Sequence, residues 1–252
     1  MESLLPPALE AWQAFALVAA SFFTSALTAA FGIGGGVALI SLMGYLLPVS
    51  ALIPVHGLVQ LGSNAGRLWI QRSFAQWHAI FPFLFGSVLG ALVGAPLVVS
   101  LDDGLLKIAL GIFIIAISWV RLPGHAAPGR AWFALGGFIT TFLTMFFGAT
   151  GPLTAIFFEK TFPDRRHYAA SHAAAMTAQH ALKAAAFALA GFAFSAWLPL
   201  LVLMVASGYL GTMVGSRLLL RVSEKQFRLV FRWLLTLLGI DLARRGLVAY
   251  LG

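Results

Sequence analysis

The chain has no cysteine in its 252 residues. Disulfides, thiolate chemistry and iron–sulfur ligation are therefore excluded, and the redox compartment leaves no mark. Charge is scarce as well, with Asp, Glu, Lys and Arg making up 10% of the chain against roughly 25% in a soluble domain. Only 8 residues are Asp or Glu, and no group of them has metal-ligand spacing. No His-Glu-x-x-His, Gly-x-Ser-x-Gly or phosphate-binding-loop pattern occurs. These absences remove the parts that intramembrane hydrolysis or ATP-driven pumping would need within this chain. The sequence predicts neither an enzyme nor a bound cofactor or metal.

Apolar surface is what the chain has in abundance. Hydrophobic residues make up 60% and aromatic residues 13%, and the mean hydropathy is +0.93. Neither a water-soluble fold nor a disordered chain carries that much. The composition predicts an all-α, polytopic membrane protein. Lys and Arg number 16 and leave a net charge of +8. They sit mostly between apolar runs, where basic residues set topology and meet membrane lipids at the headgroups. No basic stripe with stacking aromatics accompanies them, so nucleic acid is not an expected partner. The opening Met1-Glu2-Ser3 has no basic stretch, so the first apolar segment reads as a retained span and not as a cleaved signal.

A helix needs roughly 20 residues to cross the hydrocarbon. Apolar runs bounded by charges or Pro/Gly breaks fall at 12–47, 51–72, 78–100 and 104–121, then at 131–158, 168–192, 196–220 and 226–243. This pattern predicts about eight transmembrane helices in two homologous four-helix halves, residues 1–121 and 131–252, joined by the Pro/Gly-rich linker 122–130. A shift of 116 lays Thr24, Thr28, Phe31, Gly32 and Gly35 on Thr140, Thr144, Phe147, Gly148 and Gly151. The same shift lays His56 on His172, Asn64 on His180 and Arg67 on Lys183, without a gap. A shift of 121 pairs Gly90 and Gly94 with Gly211 and Gly215. Matched glycines, threonines and intramembrane basic residues point to duplication more strongly than apolar matches do.

An even number of spans per half gives both halves one orientation, related by an axis along the membrane normal. On that count Lys160, Arg165, Arg166, Arg217, Arg221, Lys225 and Arg228 face one side. Arg72, Arg121, Arg130, Arg244 and Arg245 face the other. The larger first set favours outward termini. Counting each broken first segment as two crossings would instead invert the second half.

The breaks themselves are the first candidates for chemistry. Gly32-Ile33-Gly34-Gly35-Gly36 cannot all remain regular helix at low cost, and its counterpart Gly148-Ala149-Thr150-Gly151-Pro152 ends on a proline suited to a new first turn. A helix restarting there aims backbone N–H groups and its positive dipole end at whatever fills the space ahead. Gly34, Gly35 and Gly36, with Thr150 and Gly151, are therefore candidate anion ligands. The next helix of each half adds a stripe on one face: His56, Gln60, Asn64 and Arg67, then His172, Gln179, His180 and Lys183, with Met176 beside them. Buried ionisable groups in spans usually face a cavity or one another. The paired histidines are also the plausible proton carriers of the stripe, so protons are a candidate coupling ion.

Other features have plainer readings. Glu159 and Asp164 join a loop network with Lys160, Arg165 and Arg166. Asp102-Asp103 and Ser223-Glu224 start helices, and Asp241 pairs with Arg244 or Arg245. Seven tryptophans near span ends form an interfacial belt. Small-residue faces such as Gly86, Gly90 and Gly94 serve internal packing as readily as a homo-oligomer contact.

Two halves of this kind, with Phe31-Gly32-Ile33-Gly34-Gly35-Gly36 after the first span and a Gly148-x-x-Gly151 echo after the fifth, resemble the TauE/SafE sulfite exporter family. The likeness runs over the whole chain. It is most specific at Phe31 to Gly36, followed by Pro48, Pro54 and the polar second helix. Thr150 and Pro152 stand where a full triple-glycine echo would have glycines. The resemblance implies a secondary transporter of a small sulfur oxyanion, sulfite or an organosulfonate, across the cytoplasmic (inner) membrane by alternating access. A passive anion channel would use the same basic groups, and a non-transporting membrane scaffold would use the glycines for packing alone.

Overall fold

A computed structural model describes residues 6, 9–31, 34–99, 102–119, 129–159, 161–162, 164–218 and 224–251. Gly32, Ile33, Arg121, Lys160, Arg221, Ser223 and the linker 122–128 lie outside the described residues, as do the side chains of Arg165, Arg217, Lys225 and Arg228.

The described chain is all-α. Its helices are α1 (Ala11–Phe31), α2 (Gly35–Leu46), α3 (Val49–Gln71), α4 (Trp77–Val99), α5 (Asp103–Trp119), α6 (Arg130–Phe147), α7 (Gly151–Phe158), α8 (Arg165–Leu189), α9 (Leu198–Leu218) and α10 (Glu224–Leu251). The order of long helix, short helix and three long helices over 11–119 recurs over 130–251. Local chemistry marks the boundaries. Asp164 accepts from the Arg166 and His167 N–H groups to start α8, and Asp102 does the same for Gly104 and Leu105 of α5. Pro48 precedes α3 and Pro152 sits in the first turn of α7. Asp241 bridges both Arg244 and Arg245, at 2.7 and 2.8 Å.

Each broken segment folds back on itself. Gly34 and Gly148 both adopt positive φ, 101° and 69°, a backbone that side-chain-bearing residues rarely tolerate. Gly35 then packs on the Thr24 carbonyl and the Thr28 hydroxyl, so α2 returns alongside α1. In the second half the Trp132 and Phe157 rings lie 4.7 Å apart, which brings the end of α7 back to the start of α6. The short arms have 12 and 8 residues, about 18 and 12 Å at 1.5 Å per residue, too short to cross a bilayer alone. The first segment of each half is thus a helix hairpin whose short arm turns back inside the protein.

That hairpin reverses the expected relation between the halves. Among the described residues each contributes five α-helices, an odd number, and equivalent helices run in opposite directions. Along α3 and α8, Gly57 faces the Lys183 side chain, while just past the end of α3 the Phe74 ring lies 6.0 Å from that of His167 near the start of α8. Along α5 and α10, Gly104 meets Gly246 and Gly111 meets Gly239. Helices from different halves interleave: α4 lies parallel to α6, with Gly86 on Ala134 and Gly90 on Phe138, and α1 lies parallel to α9, with Gly211 on Phe22 and Gly215 on Ala26. The glycine faces therefore serve internal contacts, where the missing Cβ lets backbones approach.

The expected split of basic residues between the two sides changes with it. The Arg166 guanidinium lies 5.4 Å over the Phe74 ring, beside Arg72. Arg130 opens α6 next to the start of α4, and Arg232 lies over Trp119 at the end of α5. Arg72 and Arg130 thus share one end of the bundle with Arg166. Arg244 and Arg245 sit at the opposite end, on the last turns of α10.

Burial is distributed as lipid, not water, would require. Phe15, Leu92 and Leu237 are more than 60% exposed, whereas Thr140, Gln179 and Lys183 are fully buried. In water that arrangement would forfeit most hydrophobic stabilisation. Among the described residues four helices, over Ala11–Ala29, Trp77–Val98, Arg130–Phe147 and Phe194–Gly215, are long and apolar enough to cross a membrane. The polar stripes of α3 and α8 lower their mean hydropathy, which is why these central helices do not stand out as spans. The short arms nucleate the cores: Val37, Ile40 and Met43 of α2 pack with Leu17, Leu52, Leu200 and Leu242, and Phe157 and Phe158 of α7 with Phe83 and Phe133. Trp197 belongs to the first of these cores and not to an exposed belt.

Candidate functional site

The polar faces of α3 and α8 meet along the centre of the bundle, and the starts of α2 and α7 converge on them. His56 Nε2–H donates to the Gly36 carbonyl at 3.0 Å. Its counterpart His172 donates to the Gly151 carbonyl at 3.1 Å. Each polar helix thus holds the first turn of its own short helix through a histidine. The His56 and His180 rings sit edge to face, 6.2 Å apart.

A cavity of about 60 Å³ lies between these elements. One water occupies roughly 10–15 Å³ by the same measure, so the space fits a handful of waters or one small polyatomic ion. From the first half it is lined by Gly34, Gly35, Gly36, Gln60, Asn64 and Arg67. From the second half come Gly151, Pro152, His172, Met176 and His180. Among the described residues no carboxylate contributes to this lining. Arg67 donates to the Asn64 side-chain oxygen, and Asn64 Nδ2 donates to the Gln60 carbonyl at 2.8 Å. Among the described residues, Arg67 Nε and both ring nitrogens of His180 have no hydrogen-bond partner. Unmet donors at a buried cavity wall are costly unless something in the cavity satisfies them.

Four of the thirteen residues expected at the site stand behind its wall. His56 faces Gly148 and the Gly36 carbonyl. Lys183 is fully buried, and its Nζ donates to the Gly148 carbonyl at 3.0 Å. Gln179 is held by three hydroxyls: its Nε2 donates to Thr140 Oγ1 at 2.5 Å and Thr141 Oγ1 at 3.1 Å, and Thr154 Oγ1 donates to its Oε1 at 3.2 Å. The Thr150 hydroxyl is buried with no partner among the described residues. Thr24, Ser25, Thr28 and Ser63 line the cavity without having been expected there. A signal for Thr24 and Thr28 existed, since both recur as Thr140 and Thr144. Ser63 is the counterpart of Gln179, and a difference between copies hid it.

The arrangement offers groups that can recognise an anion. Backbone N–H groups at two helix starts, one guanidinium and several hydroxyls and amides can hold oxygens from different directions. Among the described residues no cluster of His, Asp or Glu could hold a metal ion.

A family model described as Sulfite exporter TauE/SafE matches residues 17–242. No curated protein and no solved structure matches the chain.

Proposed function

The chain belongs to the sulfite exporter TauE/SafE family of membrane transporters, and on that premise we propose that it is a secondary transporter moving sulfite or a small organosulfonate across the cytoplasmic membrane by alternating access. One observation carries this reading: two short-helix starts and Arg67 converge on a cavity to whose lining no carboxylate contributes among the described residues. A cation would find no counter-charge there, while a three-oxygen anionic head would find backbone N–H groups, a guanidinium and hydroxyls. The cavity volume favours an inorganic oxyanion or a sulfonate with a very short chain.

The hairpins supply the usual transporter device of interrupted helices whose ends face a central site. Opposed directions of α3 and α8 fit two inverted repeats, residues 1–121 and 131–252, each with four long helices, about eight in all, and a short arm whose return makes the number of passes per half odd. Because α1 packs along α9 and α4 along α6, the moving bodies in this reading mix helices of both repeats and rock about the α3/α8 pair. His172 and His180 at the cavity wall offer protons as the coupling ion.

A thermal-shift screen of the purified protein tests the proposal. Sulfite and short sulfonates, but not carboxylates of equal size, are expected to raise the melting temperature, because a ligand at 100 times its dissociation constant stabilises by about 2.7 kcal/mol. Stabilisation by simple cations, with none by sulfur anions, would overturn it.

A further inference from the structure

The two copies of the site are in different states. In the first copy, Thr24, Ser25 and Ser63 line the cavity. Their counterparts under the shift of 116 are Thr140, Thr141 and Gln179, and these are fully buried and bonded to one another. Arg67 lines the cavity, while its counterpart Lys183 is sealed against Gly148. Resting on the alternating-access reading, we infer that the Gln179 cluster, closed by Lys183, is a second, collapsed half-site. Its opening exposes the same anion to the opposite face of the membrane.

The arrangement of charge assigns the faces. Among the described residues the helix ends around Arg67 carry Arg72, Arg130, Arg166 and Arg232, alongside Glu159 and Asp164. The opposite ends carry Lys107, Arg244 and Arg245, alongside Asp102, Asp103 and Asp241. Basic residues accumulate on the cytoplasmic side. The cavity lies on the Arg67 side of the α3/α8 crossing and Lys183 on the other, so the open half-site faces the cytoplasm and the Gln179 cluster is the outer gate.

A physical cause keeps that gate shut. Gln179 satisfies its amide entirely within the cluster, so opening exchanges those bonds for water or for substrate oxygens. The outward state therefore becomes favourable only when something replaces them, which ties opening to occupancy.

Native absence of cysteine makes the test clean. Ser25→Cys and Thr141→Cys each place a single thiol, to be probed with a charged, membrane-impermeant maleimide in right-side-out and inside-out vesicles. Ser25→Cys is expected to label from the cytoplasmic face and Thr141→Cys from the opposite face, more slowly. Adding Gln179→Ala is expected to raise the Thr141→Cys rate about tenfold and to slow Ser25→Cys, as a shift in populations requires. If Gln179→Ala fails to accumulate, Thr154→Val removes one bond and is expected to act in the same direction. Labelling of both thiols from one face would overturn the inference. So would a Thr141→Cys thiol silent from both faces in every background that labels fully once denatured. Labelling needs no substrate, so a correct pattern without sulfur-anion binding sinks the functional reading alone. Sulfite binding with a silent Thr141→Cys sinks the gate alone.

Discussion

Arg67 and Lys183 hold equivalent places on α3 and α8, yet Arg67 lines the central cavity while Lys183 is fully buried against the Gly148 carbonyl. Exact repetition would give them one environment, so the two copies of the site are not equivalent in this structure.

The first prediction concerns Arg67. Among the described residues its guanidinium is the one cationic Arg or Lys head at the cavity wall, and a charge-assisted hydrogen bond contributes about 1.5–3 kcal/mol. Arg67→Gln is therefore expected to weaken sulfite binding by about tenfold or more while leaving the unliganded melting temperature nearly unchanged. Titrating the thermal shift of both proteins with sulfite checks it, and equal midpoints would remove Arg67 from the site.

A second prediction separates two kinds of glycine. Any Cβ at Gly86 would collide with the Ala134 carbonyl, whereas a Cβ at Gly66 meets open space. Gly86→Ala is expected to destabilise by about 1–3 kcal/mol through overpacking. Gly66→Ala, within the last third of α3, is expected to be neutral or to stabilise by up to about 1 kcal/mol, since alanine is the better helix former. Melting temperatures in one detergent decide it, and a loss at Gly66 equal to that at Gly86 would refute the packing account.

A third prediction is a pH dependence at the start of α8. The N–H groups of Arg166 and His167 hold the Asp164 carboxyl below its ordinary value. Its cap therefore contributes stability above the unfolded carboxylate range, about pH 4, and loses it as pH falls through the lower folded value. Asp164→Ala is expected to lower the melting temperature at neutral pH, with the gap to the parent closing in acid. Asp164→Asn keeps an acceptor for the cap and is expected to flatten that pH dependence. A gap that widens in acid would contradict the assignment.

Much of the helix layout is legible in the sequence, because apolar runs, Pro/Gly breaks and acidic starts are local signals. The run at 78–100 becomes α4 at Trp77–Val99, and that at 104–121 becomes α5 at Asp103–Trp119. Direction was not legible. Hydropathy marks Gly32 to Gly36 as a break but cannot say that α2 turns back on Thr24, and that turn inverts the second copy and regroups Arg72 and Arg130 with Arg166. The convergence of Gly36, Arg67, Gly151 and His172 on one cavity followed from the repeat and from helical spacing. Placing Gln179 and Lys183 behind the wall depends on their bonds to Thr140, Thr141 and the Gly148 carbonyl, tertiary contacts that helical spacing does not encode.

Anion exchange by the purified protein in vesicles tests the central claim most directly. Labelled sulfite, or a short sulfonate, is loaded on one side and unlabelled anion added to the other. The account predicts uptake accelerated by the trans anion in the parent protein, and loss of that exchange in both Arg67→Gln and Lys183→Met at equal protein content. Exchange unchanged in both variants, or flux indifferent to the trans anion, would contradict it.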